Sequence, residues 1–418
     1  MNKHAITVMV SAAVAALLLG GCGGAEVEKT QITLLHGWGT MEEDHVAMRR
    51  IYEDFEKENP DVSLNLLSMP SSQEVIYKAN DMLAVGEIPD LIFAGGIGRD
   101  SMYQFMVNKG YAVDLMPYLE ADETFEGDVS PVITRYWETP EGQLYTVSDV
   151  LLYSGGYWYN EDIFRQAGIE NIPRNWEEFG EDCLKIENWS GTEKNDVIPI
   201  QLNGENSLYL TDFLLLDVGE DSREAILEHK PQISQPQLAA VIDQLSVLHE
   251  YSMQTQNEYG YRDILKQFNE GKSAMYLNGV WAGSMIEEGL PVRYAALPSA
   301  DGSTVACTSS CLGYVVGNTG NPDKIDAAVR FLKYMLSDKV QERIMKETGQ
   351  VPSNPGIELE ADGMPRFIQA VRTVGEADIH LEVPDNIWDI RRINLFKNQF
   401  MDVLNGELSR QTFMDLLR

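Results

Sequence analysis

The chain has 418 residues, 44% hydrophobic and 23% charged, long enough for two domains with a core each. Its 32 Lys and Arg face 65 Asp and Glu, a formal net charge of −33. That balance argues against nucleic acid and anionic lipid headgroups as partners, since few cations are on offer to release phosphate counterions, and it suits a solvated surface.

Residues 1–21 stand outside the fold. Lys3 gives a positive start, and Ala5 to Leu19 is an apolar run short for a membrane span. Leu19-Gly20-Gly21-Cys22 then resembles the lipobox of bacterial lipoprotein signals, with glycine where Ala or Ser is more usual. The resemblance implies cleavage before Cys22, a diacylated cysteine and a tether on the outer face of a membrane. Residues 22–30 read as a linker, and no later segment is apolar for long enough to cross a bilayer.

Gln31 to Leu35 predicts a buried strand running into His36-Gly37-Trp38-Gly39, and an aromatic between glycines at a strand end is where open α/β folds place ligand contacts. A helix follows over Glu43 to Glu58, ended by Asn59-Pro60, and a strand over Val62 to Leu67. Ser72 to Val85 is a helix stopped by Gly86, and Ile88 to Phe93 a third strand leading into Ala94-Gly95-Gly96. Gly95 to Gly98 lacks the full glycine fingerprint and the Lys of a phosphate loop, so a turn or close backbone approach to a ligand fits better. Met116 to Ser130 is acidic and turn-rich, and Leu144 to Tyr153 predicts a long strand.

Tyr157 to Tyr159 is an aromatic strand end. Asn160 caps a helix that Gly168 stops, and Asn175 caps the next, with Trp176, Phe179 and Cys183 on one face. Val197 to Leu202 is a strand, Asn203 to Asn206 a polar loop, 208–217 and 235–251 helices, and Thr255 to Gly260 a loop. Ala274 to Leu277 is a buried strand, Gly279 turns the chain, and Trp281 opens a helix. Val292 to Leu297 is a strand, Thr308 to Gly313 a small-residue loop, and Tyr314 to Val316 a strand. Asn321-Pro322 caps an amphipathic helix, and Ile393 to Leu417 holds two more, parted at Asn405-Gly406. Of four cysteines, Cys183 reads as a small buried hydrophobe. Cys307 and Cys311 allow a short disulfide or two free thiols, and no nearby His favours a metal.

Several strings taken together resemble one family. They are Tyr159-Asn160, Phe164, Ala167-Gly168, Pro173, Trp176 and Phe179; Phe55 to Pro60; Ala84, Gly86, Pro89 and Asp90; Phe268 to Met275 with Gly279 and Trp281; and Gly349 to Ser353. All are similar to bacterial extracellular solute-binding proteins of the maltose-binding type, which deliver substrate to ATP-driven importers. The likeness runs from Ile32 to Leu417. It implies an α/β, periplasmic-binding-protein-like type II fold, two lobes joined by a hinge with a ligand cleft between. Residues 31–150 and 291–337 would form the first lobe, and 151–290 and 338–418 the second. No cofactor or metal is implied. The implied partners are importer permeases, a small sugar and the membrane, and the chain would act as a monomer.

Sugars have polar edges and apolar C–H faces, which suit aromatic rings and planar amides or carboxylates. The expected contacts are Trp38, Trp281 and Trp388 by stacking, each with plain packing as its alternative. Gly37, the Gly96 backbone, Asp149, Tyr153, Asn203 and Ser309 would supply polar contacts, although turn Asn and Ser often bond their own backbone. Three functions stay open: a lipid-anchored receptor for an oligosaccharide; the same fold binding an amino-acid derivative, polyol, phosphodiester or metal chelate, with the low Arg density near these loops speaking against phosphate or carboxylate recognition; and an envelope glycosidase using two carboxylates, for which no nucleophile elbow, HExxH or Cys-His arrangement is present.

Overall fold

In a computed structural model, the structure describes residues 29–95, 98, 100–202, 239, 242–243, 246, 248–252, 261–299, 302–359, 363–381 and 390–416. Cys22, Gly96, Asn203, Trp388, the helices expected over 208–217 and most of 235–251, and the loops Asn203 to Asn206 and Thr255 to Gly260 lie outside them.

The first sheet has the order β2-β1-β3-β10. Strands β1 (Thr30–His36), β2 (Val62–Ser68) and β3 (Leu91–Phe93) are parallel, and β10 (Tyr314–Val316) closes the edge antiparallel to β3. Helix α1 (Glu43–Glu58) buries Ala47, Met48, Ile51, Tyr52 and Phe55, the i, i+4 stripe that its sequence spacing requires. α2 (Ser72–Ala84) is capped by Ser71, whose side chain accepts from the Glu74 N–H. After α3 (Ser101–Lys109), three short helices, α4 (Met116–Glu120), α5 (Glu123–Asp128) and α6 (Pro131–Trp137), occupy the stretch read as turns and the residues after it. Asp122 and Ser130 cap the last two.

A second sheet joins the lobes, with β11 (Val351–Pro352) and β12 (Ile379–Leu381) on its edges, in the order β11-β4-β9-β12. β4 (Val150–Ser154) runs antiparallel to β9 (Val305–Ser310), Leu151 opposite Ser310 and Ser154 opposite Cys307. Where a strand was expected from 144, regular pairing begins only at Val150. Ser148 turns its hydroxyl onto the Val150 backbone, and Val147 makes a single bridge to Tyr314. Conversely, Thr308 to Ser310, read as loop, extends β9, because β4 supplies the partner. Cys307 and Cys311 are buried, form no disulfide and pack in different cores, and Cys311 sits 3.2 Å from the Ser148 hydroxyl.

The chain leaves β4 through Gly155 into β5 (Gly156–Asn160), the centre of a third sheet, β6-β7-β5-β8. Its other strands are β6 (Ile198–Gln201), β7 (Ser273–Leu277) and β8 (Val292–Ala296). Helices α7 (Glu161–Gln166) and α8 (Trp176–Glu193) start at Asn160 and Asn175, each side chain capping as read. α9 (Tyr261–Asn269) precedes β7. The resemblance puts β8 in the first lobe, but pairing Asn160 to Val292 through Gly156 to Ala296 holds it in the third sheet. The return to the joining sheet therefore comes after Ala296. Likewise α11 (Asp338–Thr348), grouped with the second lobe, packs on α1 and on α10 (Pro322–Leu336) of the first, with Arg343 on Asp54 at 3.0 Å. α12 (Pro365–Gly375) covers β8, and its Gln369 amide pairs with both backbone groups of Tyr294 at 2.8 Å, satisfying an open sheet edge. The tail forms α13 (Ile390–Leu404) and α14 (Arg410–Leu416), parted about Gly406.

Candidate functional site

His36 lies opposite both Ser68 and Phe93, so three parallel strands end on one edge of the first sheet. The segments that leave them, at 37–45, 69–72 and 94–95, form one wall of a cavity of about 1040 Å³. The facing wall comes from α9, through Arg262, Leu265, Lys266 and Asn269, and from the turn after β7, through Ser284, Met285 and Glu287. Glu347 and Thr348, at the end of α11, line it on the hinge side. This is the cleft between the lobes, at the strand ends where open α/β sheets bind ligands.

Trp38 sits in that wall, half-buried, stacked on Phe93 at 5.5 Å between centroids and 25° between planes. His45 meets its ring edge-on at 5.0 Å. His36 sets the loop: its Nδ1 accepts the Trp38 N–H at 3.1 Å and its Nε2 lies 3.0 Å from the Ser68 hydroxyl. An accepting Nδ1 makes Nε2 the protonated nitrogen. Burial, then the nearby Arg49 charge, pushes its pKa down to about 3, so the ring stays neutral. Arg49 also donates to the Trp38 carbonyl.

Across the cleft, Arg262 reaches Glu42 at 2.6 Å, an ion pair between the two walls. Glu42, Asp44 and His45 bring ligand atoms within 4.8 Å of one another, and Arg262 holds the Oε1 of Glu42. Burial lowers the His45 pKa, against the pull of Asp44 and Glu42.

Of the expected contacts, Gly37 and Trp38 line the cavity. Trp281 lies on the turn Val280–Ser284, half-buried, its ring so close over Gly279 that a β-carbon there would lie 2.1 Å from it. Trp158 supports the same turn from its buried side, donating to the Gly279 carbonyl at 3.0 Å. Tyr153 is half-buried on β4, opposite Thr308, and Ser309 is fully buried on β9 opposite Leu152. Asp149 is fully buried, accepting from the Tyr314 hydroxyl at 2.8 Å, and Tyr314 and Tyr52 share a hydrogen bond of 2.9 Å. Desolvation raises the Asp149 pKa to about 7. Sequence reasoning missed Phe93, the Glu42 to His45 cluster, Arg262, Ser284 and Met285; only the acidic first turn of α1, directly after Trp38, carried a signal.

Residues 50–368 match the family described as bacterial extracellular solute-binding protein. The chain belongs to that family. Among curated members of the solute-binding proteins, it is 21% identical over 357 residues to the putative ABC transporter periplasmic-binding protein YcjN of Escherichia coli, covering 84% of this chain and 79% of that one. To the multiple sugar-binding protein of Streptococcus mutans it is 22% identical, covering 82% and 80%. A Streptococcus pneumoniae solute-binding protein solved with the blood group A-trisaccharide superposes with a TM-score of 0.75 at 22% identity, covering 93% of this chain and 98% of that one. The shared fold is the two-lobed α/β architecture of solute-binding proteins.

Proposed function

We propose that this solute-binding protein captures an oligosaccharide by closing its lobes and presents it to the permeases of an ABC importer. The carrying observation is the cleft: about 1040 Å³ of space between two lobes, walled by an indole stacked on a phenyl ring. That volume sits at the upper end of the roughly 300–1,000 Å³ of small-molecule sites and leaves room for more than one ring. The sugar ligands named for the Streptococcus relatives point the same way. β4 and β9 are the segments that would bend, with one division between the lobes near Gly155.

The protein binds without turnover, as its family does. Trp38 and Gly37 are the proposed first contacts, with Trp281 and Tyr153 reached as the lobes close. Cys22 carries the lipid that holds the chain on the extracytoplasmic face of the membrane. Titration calorimetry with maltotriose, cellotriose and β-1,4-galactotriose tests the reading. We expect heat with at least one, a smaller radius of gyration on binding, and at least tenfold loss in Trp38→Ala, the scale of a buried aromatic anchor. No heat with any of them overturns it.

A further inference from the structure

We infer that the cleft selects its ligand by charge, preferring an oligosaccharide that carries a protonated amine over a neutral one and rejecting an acidic one. The inference rests on the carbohydrate reading and deepens it. Six carboxylates line the cavity: Glu42, Glu43, Asp44, Asp263, Glu287 and Glu347. Two cations line it, Arg262 and Lys266. Arg262 is committed to Glu42 at 2.6 Å, and Lys266 lies 3.9 Å from Glu270 outside the cavity. Glu347 is held by Arg343 at 2.8 Å, and burial keeps His45 from adding charge near neutrality.

That leaves Glu43, Asp44, Asp263 and Glu287 in no ion pair among the described residues, in a lining where carboxylates outnumber cations six to two. The first turn of α1 offsets part of the charge on Glu43 and Asp44, while its helix dipole reaches little beyond that turn. Low-dielectric walls focus the remaining field on whatever enters. An acidic ligand meets four carboxylates that no ion pair among the described residues offsets. An ammonium meets the same carboxylates and, at the Trp38–Phe93 wall, aromatic faces that also attract cations.

The test compares the tightest binder among maltotriose, cellotriose and β-1,4-galactotriose with its 6-amino-6-deoxy and 6-carboxyl derivatives, by calorimetry at low and high salt. We expect the amine to bind at least ~10-fold tighter than the carboxylate, the parent falling between, as a few unscreened charges at contact range would give. The gap narrows at high salt. A variant combining Glu43→Gln, Asp44→Asn, Asp263→Asn and Glu287→Gln, its fold checked by circular dichroism, brings that ratio within about twofold. Equal affinities for the three forms, or a gap untouched by salt and by the variant, overturn the charge rule while the carbohydrate reading stands. Absence of binding by every compound removes both, a result distinct from binding without charge order.

Discussion

Asp149 and His36 are buried titratable groups whose effects on stability oppose each other. Asp149 moves from an ordinary 3.8 up to about 7 by desolvation, so between those values the folded chain holds a proton that the unfolded chain has lost. Stability from this group falls as pH rises from about 4 to 7. His36 moves from 6.5 down to about 3, so in that window the unfolded chain binds the extra proton and stability rises with pH. Asp149→Asn should therefore remove the decline towards pH 7, on the order of 2–4 kcal/mol, and leave the His36 rise alone. Urea midpoints across this pH range read it, and an unchanged profile would show that Asp149 does not titrate there. At Gly279 the constraint is steric. A methyl group would lie 2.1 Å from the Trp281 ring, and Gly279→Ala should cost about 1–3 kcal/mol while pushing that indole towards solvent. Red-shifted tryptophan emission with a lowered melting temperature is the expected pair of signals.

Among elements, the β4–β5 ribbon connects folding to function. One continuous segment serves the joining sheet up to Ser154 and the third sheet from Gly156, and the change of direction falls on Gly155 at φ +92°. The opposing strand is close there: a β-carbon on Gly155 would lie 3.0 Å from the Ala306 α-carbon. Gly155→Ala combines a left-handed conformation with that contact, so it should destabilise by more than about 1 kcal/mol. Because the strain sits where the lobes join, the radius of gyration of the ligand-free protein should shift too. A melting-temperature drop with unchanged scattering would place the strain elsewhere than at a hinge.

At the scale of the whole molecule, the acidic surface and the cleft have different electrostatics. Surface carboxylates are screened within about 10 Å at 0.1 M salt, so the net charge of −33 serves solubility rather than lobe closure. The Glu42–Arg262 pair acts between the lobes, but its side chains are 37% and 64% exposed. An exposed pair contributes only about 0.2–1 kcal/mol. Arg262→Ala should thus change the ratio of closed to open molecules by no more than roughly fivefold, with no loss of melting temperature. Scattering of the ligand-free protein measures this, and a complete opening would mean that little else holds the lobes together.

Local chemistry was legible in the residues themselves. The asparagine caps at 160 and 175, the apolar stripe of α1, and the position of Trp38 just beyond β1 follow from short-range rules, which act within a turn or two of chain. Pairing was not. The extent of β9, the retention of β8 in the third sheet and the docking of α11 on α1 depend on partners more than a hundred residues away. The cleft divides along the same line. Its indole was written into the sequence, whereas Arg262 meets Glu42 only because two lobes fold and face each other, a contact no local pattern encodes.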